Sequence, residues 1–276
     1  MARAIILLLF FSHLSFADNL TQITFKGSGS NITTKQIGSG NATYILCGSP
    51  TNNGSGSFPG TNYVTHTCSN ATWNSDVDGN NNTVRLYTVW SNHTDNTYTI
   101  NIDGDDNFVW LDQDEDDNTS TITQTGNDNH AEQLGSGDDN VFVITQTGNN
   151  KYAKILDFGD DGNKTITQSG TGQHNAYIYN NGSGHNNDAT IIQSGSGNKD
   201  ADIFFYGADN SDIDLTQSGN GAHTANMKFY TNNYDVDVTQ SGATNQSYSA
   251  TFNCSSNCTK TISITQQWKL NLKDGG

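Results

Sequence analysis

Thr119-Ser120-Thr121-Ile122-Thr123-Gln124-Thr125-Gly126-Asn127-Asp128-Asn129-His130-Ala131 is the stretch that decides the fold. Its first seven residues alternate, placing Ile122 and Gln124 on one side and Thr121, Thr123 and Thr125 on the other, the period of a β-strand. The Gly-Asn-Asp-Asn run supplies turn chemistry, and a companion stretch begins at His130. A glutamine on the aliphatic side needs a reason, because a buried amide without partners costs roughly 1–3 kcal/mol. One such glutamine per coil is satisfied if coils stack ~4.8 Å apart, each amide bonding to those above and below.

Outward from this stretch the pattern repeats. Asn96, Asn107, Asn118, Asn129 and Asn140 fall at a constant step of 11 residues, which loosens to 11–13 and runs on to Cys258. Two steps make one unit, so residues 97–258 hold seven units of 22–26 residues. Gln124, Gln146, Gln168, Gln193, Gln217 and Gln240 are each followed by Ser or Thr, and then by Gly126, Gly148, Gly170, Gly195, Gly219 and Gly242. Gln266 opens one more half-unit, with Trp268 at the glycine position. Two residues before each glutamine stand Ile122, Ile144, Ile166, Ile191, Leu215, Val238 and Ile264. The residue between is usually Thr and points the other way. In the companion half-units the same logic pairs Ala131, Ala153, Ala176, Ala201 and Ala225 with Gln133, Ile155, Ile178, Ile203 and Met227, small residues that let two sheets approach.

Composition agrees with an all-β chain. Of 276 residues, 12 are Lys or Arg and 28 are Asp or Glu, a formal charge of −16, while 37 are Asn and only 2 are Pro. The residues that build helices are scarce, and the basic stripe needed to hold nucleic acid is absent. Residues 1–17 read as a secretory signal: Arg3, then an apolar run from Ile5 to Phe11, then Ser15-Phe16-Ala17 as a cleavage pattern. The run is well short of the ~20 residues that span a bilayer. An exported protein without a membrane span is therefore expected. In that setting four cysteines, Cys47, Cys68, Cys254 and Cys258, favour disulfides over zinc, since no His stands at finger spacing.

The expected architecture is an all-β, two-sheet β-solenoid of stacked strand–turn–strand coils over 97–268, with no helix beyond the signal. Before it come an N-terminal segment at 18–48 with one isolated repeat-like motif and an irregular Asn/Gly/Thr-rich section at 49–96. A polar tail at 269–276 follows.

The repeat resembles the curlin repeat, in which Gln-x-Gly-x-x-Asn-x-Ala recurs about every 22 residues. Gln124, Gly126, Asn129 and Ala131 match in full; Gln146, Gly148 and Ala153 match with Lys151 at the Asn position. Gln193, Gly195 and Asn198 match with Ala201 one place late, and Gln36, Gly38 and Asn41 look like an isolated earlier copy. The resemblance implies a secreted subunit that self-associates into extracellular amyloid fibres of the curli type, used for biofilm and surface adhesion. It further implies a nucleating or companion curlin and an outer-membrane export machinery as partners. The companion strands depart from the pattern, carrying Ile, Phe or Met where curlins usually place a second glutamine.

Other chemistries fit less well. Asp112, Asp114, Asp116 and Asp117 have the spacing of a calcium-loop start but lack its glycine and flanking helices. The Thr rows suggest a monomeric ice-binding or adhesin surface as the alternative, but Val143, Asp214 and Asp237 interrupt the second rank. Paired carboxylates such as Asp103 and Asp105 come without a partner pattern of basic groups, so no enzyme, cofactor or metal is expected. His130, His174, His185 and His223 are expected at surface turns. Turns such as Gly104-Asp105-Asp106-Asn107 and Gly137-Asp138-Asp139-Asn140 are expected to stack into like-charged columns that delay assembly.

Overall fold

The computed structural model describes residues 18–25, 31–47, 72–88, 97–113, 119–135, 140–158, 162–181, 187–204, 206, 211–228, 230, 234–251, 260–261 and 263–267. Every regular element among them is a strand. The first sheet-forming strands alternate in sequence between two faces of the solenoid. One sheet takes β1 (Leu20–Phe25), β3 (Ala42–Cys47), β5 (Thr83–Thr88), β7 (Phe108–Gln113) and β9 (His130–Gly135). The other takes β2 (Asn31–Ile37), β4 (Thr72–Asp78), β6 (Thr97–Asp103), β8 (Thr119–Thr125), β10 (Val141–Thr147), β11 (Gly162–Ser169) and β12 (Asn187–Gln193). It continues through β14 (Thr216–Ser218), β17 (Thr239–Ser241) and β20 (Thr265–Gln267), ten strands in all. Short ladders complete the late coils: β13 (Ser211–Asp212), β16 (Tyr234–Asp235) and β19 (Lys260–Thr261) in one, β15 (His223–Thr224) and β18 (Gln246–Ser247) in another.

All pairings are parallel, and the register superposes like on like: Ile122 lies opposite Ile144, which lies opposite Ile166, with Thr123, Thr145 and Thr167 beside them. A parallel ladder cannot be closed by a two-residue hairpin, so each step up needs a full circuit of the chain. The 22-residue repeat is the length of that circuit. Burial alternates residue by residue along β8 and β10, as the sequence pattern requires.

The sheet starts earlier than the repeat spacing predicts. β4 and β5 lie inside the section expected to be irregular, and β2 pairs with β4, which pairs with β6. The boundary at residue 97 is thus no boundary in the sheet. At the glutamine position these coils carry Val77 and Ile102, and at the aliphatic position β4 carries Ser75, so the sequence marks are missing while the alternation survives. Trp73 and Tyr98 pack into the interior there, both buried with ring centroids 4.8 Å apart.

All six turn glycines have positive φ. At Gly126 a side chain is excluded twice, by φ of 111° and because a Cβ would come within 2.4 Å of the Gly148 carbonyl oxygen in the next coil. From Gly170 onward the turn gains one residue. Lys199 stacks between His174 and His223, so it is Lys199, and not Asn198, that occupies the column of Asn129. The extra residue is absorbed before the column, which is why Ala201 stands one place late yet remains buried.

Candidate assembly interface

Seven inward glutamines of the ten-stranded sheet form one ladder, while the buried Gln133 of the companion sheet donates instead to Ser120 Oγ. Along the ladder each Nε2 donates to the Oε1 of the next coil: Gln124 to Gln146 at 2.8 Å, Gln146 to Gln168 at 2.9 Å, and Gln168 to Gln193 at 2.8 Å. The chain of bonds goes on from Gln193 to Gln217 at 3.0 Å, to Gln240 at 2.8 Å and to Gln266 at 2.9 Å. The second hydrogen of the amide crosses the core. Gln124 gives it to the Phe108 carbonyl at 3.1 Å, Gln146 to His130 at 2.9 Å and Gln168 to Tyr152 at 2.6 Å. The ladder therefore ties coil to coil and also ties one face of the solenoid to the other. Ile122, Ile144, Ile166, Ile191, Leu215 and Val238 line up beside it, fully buried, and Ile264 at the end is half-buried. Toward the N-terminus the ladder stops at Ile102, and Gln36 stands apart, bonded instead to Thr43 Oγ1 at 2.5 Å.

A second polar column runs through the turns. Asn41, Asn82, Asn107 and Asn129 each accept the next column residue's backbone N–H on Oδ1. Each gives its amide hydrogen to a turn-glycine carbonyl of the following coil. The column then changes chemistry to Lys151, His174, Lys199, His223 and Gln246. Lys199 Nζ donates to the carbonyls of Gly197, Gly219 and Gly221 at 2.8, 3.0 and 2.7 Å, taking over the role of the asparagine amide. His174 and His223 are completely buried, contrary to the surface positions expected of them. Each faces a backbone carbonyl through Nε2, Ser169 and Ser218 respectively, both at 2.8 Å. A carbonyl only accepts, so Nε2 carries the hydrogen. Burial and the ammonium groups of Lys151 and Lys199 push His174 down to about 4, and burial lowers His223 as well. His130 is half-buried, and its Nε2 lies 2.9 Å from Glu132, whose other oxygen meets Lys154 at 2.7 Å. The His130 contact holds the Glu132 carboxyl at about 2, against the opposite pull of burial. His185 lies outside the described residues.

Signals for the buried histidines existed in the chain. Counting five residues on from each glutamine finds Asn129 and Lys151 but misses the rest; counting two back from Ala153, Ala176, Ala201 and Ala225 finds Lys151, His174, Lys199 and His223. In the described turns Asp106 and Asp128 take the same position in successive coils, a like-charged pair, whereas the neighbouring row is interrupted. Asp105 takes the backbone N–H of Asn80 at 2.7 Å and gives its own to Asn127 Oδ1 at 2.8 Å, so amides separate the carboxylates along that row. Asp138 and Asp139 lie outside the described residues, as do Asp114, Asp116, Asp117, Cys68, Cys254 and Cys258. Asp112 and Cys47 fall in β7 and β3, and the Cys47 side chain is not described.

At both ends the described sheet is bonded on one side only. β2 begins it and β20 finishes it, and their inward residues Ile32, Gln36, Ile264 and Gln266 are half-buried where their counterparts elsewhere are covered. No helix among the described residues is long and apolar enough to cross a membrane.

Residues 184–219 match the family model of the curlin associated repeat. The match spans the coil that holds Ile191, Gln193, Gly195 and Lys199 and ends at the next turn glycine, Gly219. No curated protein and no solved structure matches the chain.

Proposed function

We propose that this curlin-repeat solenoid is a structural subunit that polymerises head to tail into extracellular amyloid fibres of the curli type, serving biofilm and surface adhesion, and that it catalyses no reaction. The observation that carries this reading is the glutamine ladder, unbroken from Gln124 to a half-buried Gln266 on a strand bonded on one side only. An open parallel edge offers unpaired N–H and C=O groups that template a further strand, and a second copy of the chain presents the matching edge at β2. Export through an outer-membrane machinery, with a companion or nucleating curlin at the cell surface, goes with this role. The acidic chain, with 28 Asp and Glu against 12 Lys and Arg, supplies the repulsion that keeps subunits apart until they reach the surface.

Incubating the purified mature protein tests the reading. The expected product is a thioflavin-positive fibre with a reflection along its axis at roughly 4.8 Å. A protein that stays monomeric at high concentration and in added salt overturns it.

A further inference from the structure

One buried charged pair plays no part in the columns above. Asp157 closes the inward set Ala153, Ile155, Asp157 of its coil, and Lys164 follows Gly162 in the inward set of β11. Lys164 stacks between Phe142 and Ala189, in a position that holds Trp73, Tyr98 and Ile213 in other coils. Both charged side chains are 0% exposed, and Nζ lies 2.7 Å from Asp157 Oδ2. Burying such a pair costs several kcal/mol per ion unless its geometry repays it. A proton passed from Nζ to Oδ2 removes both charges and leaves a neutral amine against a carboxylic acid. Desolvation lowers the Lys164 ammonium in that direction, opposed by the attraction of Asp157.

The surroundings are arranged for more than an ion pair. Asp157 Oδ1 accepts the backbone N–H of Phe158 at 2.7 Å and faces Asn180 Nδ2 at 3.5 Å, two donors aimed at the oxygen that would carry negative charge during attack on the carboxyl carbon. Nζ is steered from the other side by the Asn187 carbonyl at 3.0 Å. Gly162 makes the room: a Cβ there would meet Nζ at 1.9 Å and Oδ2 at 3.1 Å. Leu156 and Asp157 have φ of 88° and 36°, a backbone conformation that side-chain-bearing residues rarely adopt.

We propose that Lys164 and Asp157 condense in the folded protein into an intramolecular isopeptide bond. Neutral Nζ attacks Asp157 Cγ, forming the C–N bond and placing the negative charge on Oδ1 among its two donors. A nitrogen proton passes to Oδ2, the Cγ–Oδ2 bond breaks, and one water leaves. Nothing is oxidised or reduced and no co-reactant is consumed. Proximity inside a dry core supplies the effective concentration that drives the amide forward. In the product, Oδ1 keeps the Phe158 and Asn180 donors, and the new amide N–H keeps the Asn187 carbonyl. Two buried charges become one satisfied amide, and a covalent ring fixes the corner where the chain passes from the companion strand into β11. The bond forms within one molecule and does not depend on assembly.

Mass spectrometry of the full mature chain, denatured and reduced after purification, tests this. The expected intact mass is lower than the sequence mass by one water. Trypsin should fail to cut after Lys164, giving a peptide from 155 to 199 that lacks one water and yields no backbone fragments between 157 and 164. Lys164→Arg and Asp157→Ala should each show the full mass of their sequence; where either fails to fold, the wild-type peptide decides by itself. A full-mass wild-type protein cleaved after Lys164 overturns the proposal. So does a water loss located elsewhere, such as a cyclised Asp161-Gly162 pair.

Discussion

Gln146 donates its amide hydrogen to Gln168 Oε1 at 2.9 Å, and neither side chain has any exposed surface. Gln168 in turn serves Gln193 and the carbonyls of Tyr152 and His174. Gln168→Ala leaves a donor below, an acceptor above and a cavity between. Its expected cost is on the order of 3–4 kcal/mol, where each orphaned buried group contributes about 1–3 kcal/mol. Thr167→Ala, on the outer face next door, should change stability by no more than about 0.5 kcal/mol. Urea unfolding of the freshly prepared monomer compares them; equal midpoints would show that the ladder contributes nothing.

The turn glycines act through backbone spacing. At Gly126 the next coil's carbonyl oxygen would be 2.4 Å from an added Cβ, and φ is 111°. Gly126→Ala must strain the turn and push two coils apart. The expected loss is at least about 2 kcal/mol, the scale of a residue forced into a disfavoured backbone region. Ser196 lies in an exposed turn, and Ser196→Ala, which removes only the hydroxyl bond to Asn220, serves as the control. Similar thermal midpoints for the two variants would place the constraint elsewhere.

How far the sequence could be read depended on which side chains mark a coil. Gln124 and its successors mark it because their burial makes sense only in a stack, so the repeat, the two faces and the inward columns were legible from residue 97 onward. β4 was not legible, because Val77 and Ser75 replace the glutamine and the aliphatic residue, and alternation over one short stretch does not separate a coil from an irregular segment. His174 and His223 were hidden by the longer turn after Gly170, which shifts them one place from the glutamine count while leaving their distance to Ala176 and Ala225 unchanged. The Asp157–Lys164 pair had no sequence signal, since two polar residues seven apart meet only when the coil closes.

The Lys151–His174–Lys199 column makes the fold sensitive to acid. His174 titrates near 6.5 when unfolded and near 4 when buried between the two ammonium groups. The unfolded chain therefore binds the extra proton first. The stability contributed by the neutral ring is complete above pH 6.5 and is lost as pH falls toward 4. Glu132 has the same sign in a lower window, with stability present above its ordinary 4.5 and lost as pH falls toward 2. Asp214 opposes them, because burial and its Asp212 and Asp237 neighbours raise it, so its protonation relieves the folded state. The expected outcome is a falling denaturation midpoint between pH 6.5 and 4. His174→Asn, which restores the side chain found at Asn129, should flatten that slope. An identical slope in the variant would remove His174 from the explanation.

Backbone polarity at β20 separates folding from elongation. Thr239 N–H donates to the Ile264 carbonyl at 2.8 Å, which sets the alternation of the parallel pair. The Ile264 carbonyl and the Gln266 N–H turn toward β17, and the Thr265 N–H turns to the open side. Thr265→Pro therefore removes one donor from the edge offered to the next molecule without deleting a bond to β17. The monomer should keep its unfolding midpoint to within about 1 kcal/mol, since proline is tolerated on an edge strand. Seeded growth followed by thioflavin fluorescence should slow markedly, and Thr239→Pro, which deletes an internal bond, should instead destabilise the monomer. Growth of the Thr265→Pro protein at the wild-type rate would mean that β20 is not the surface on which the next subunit lands.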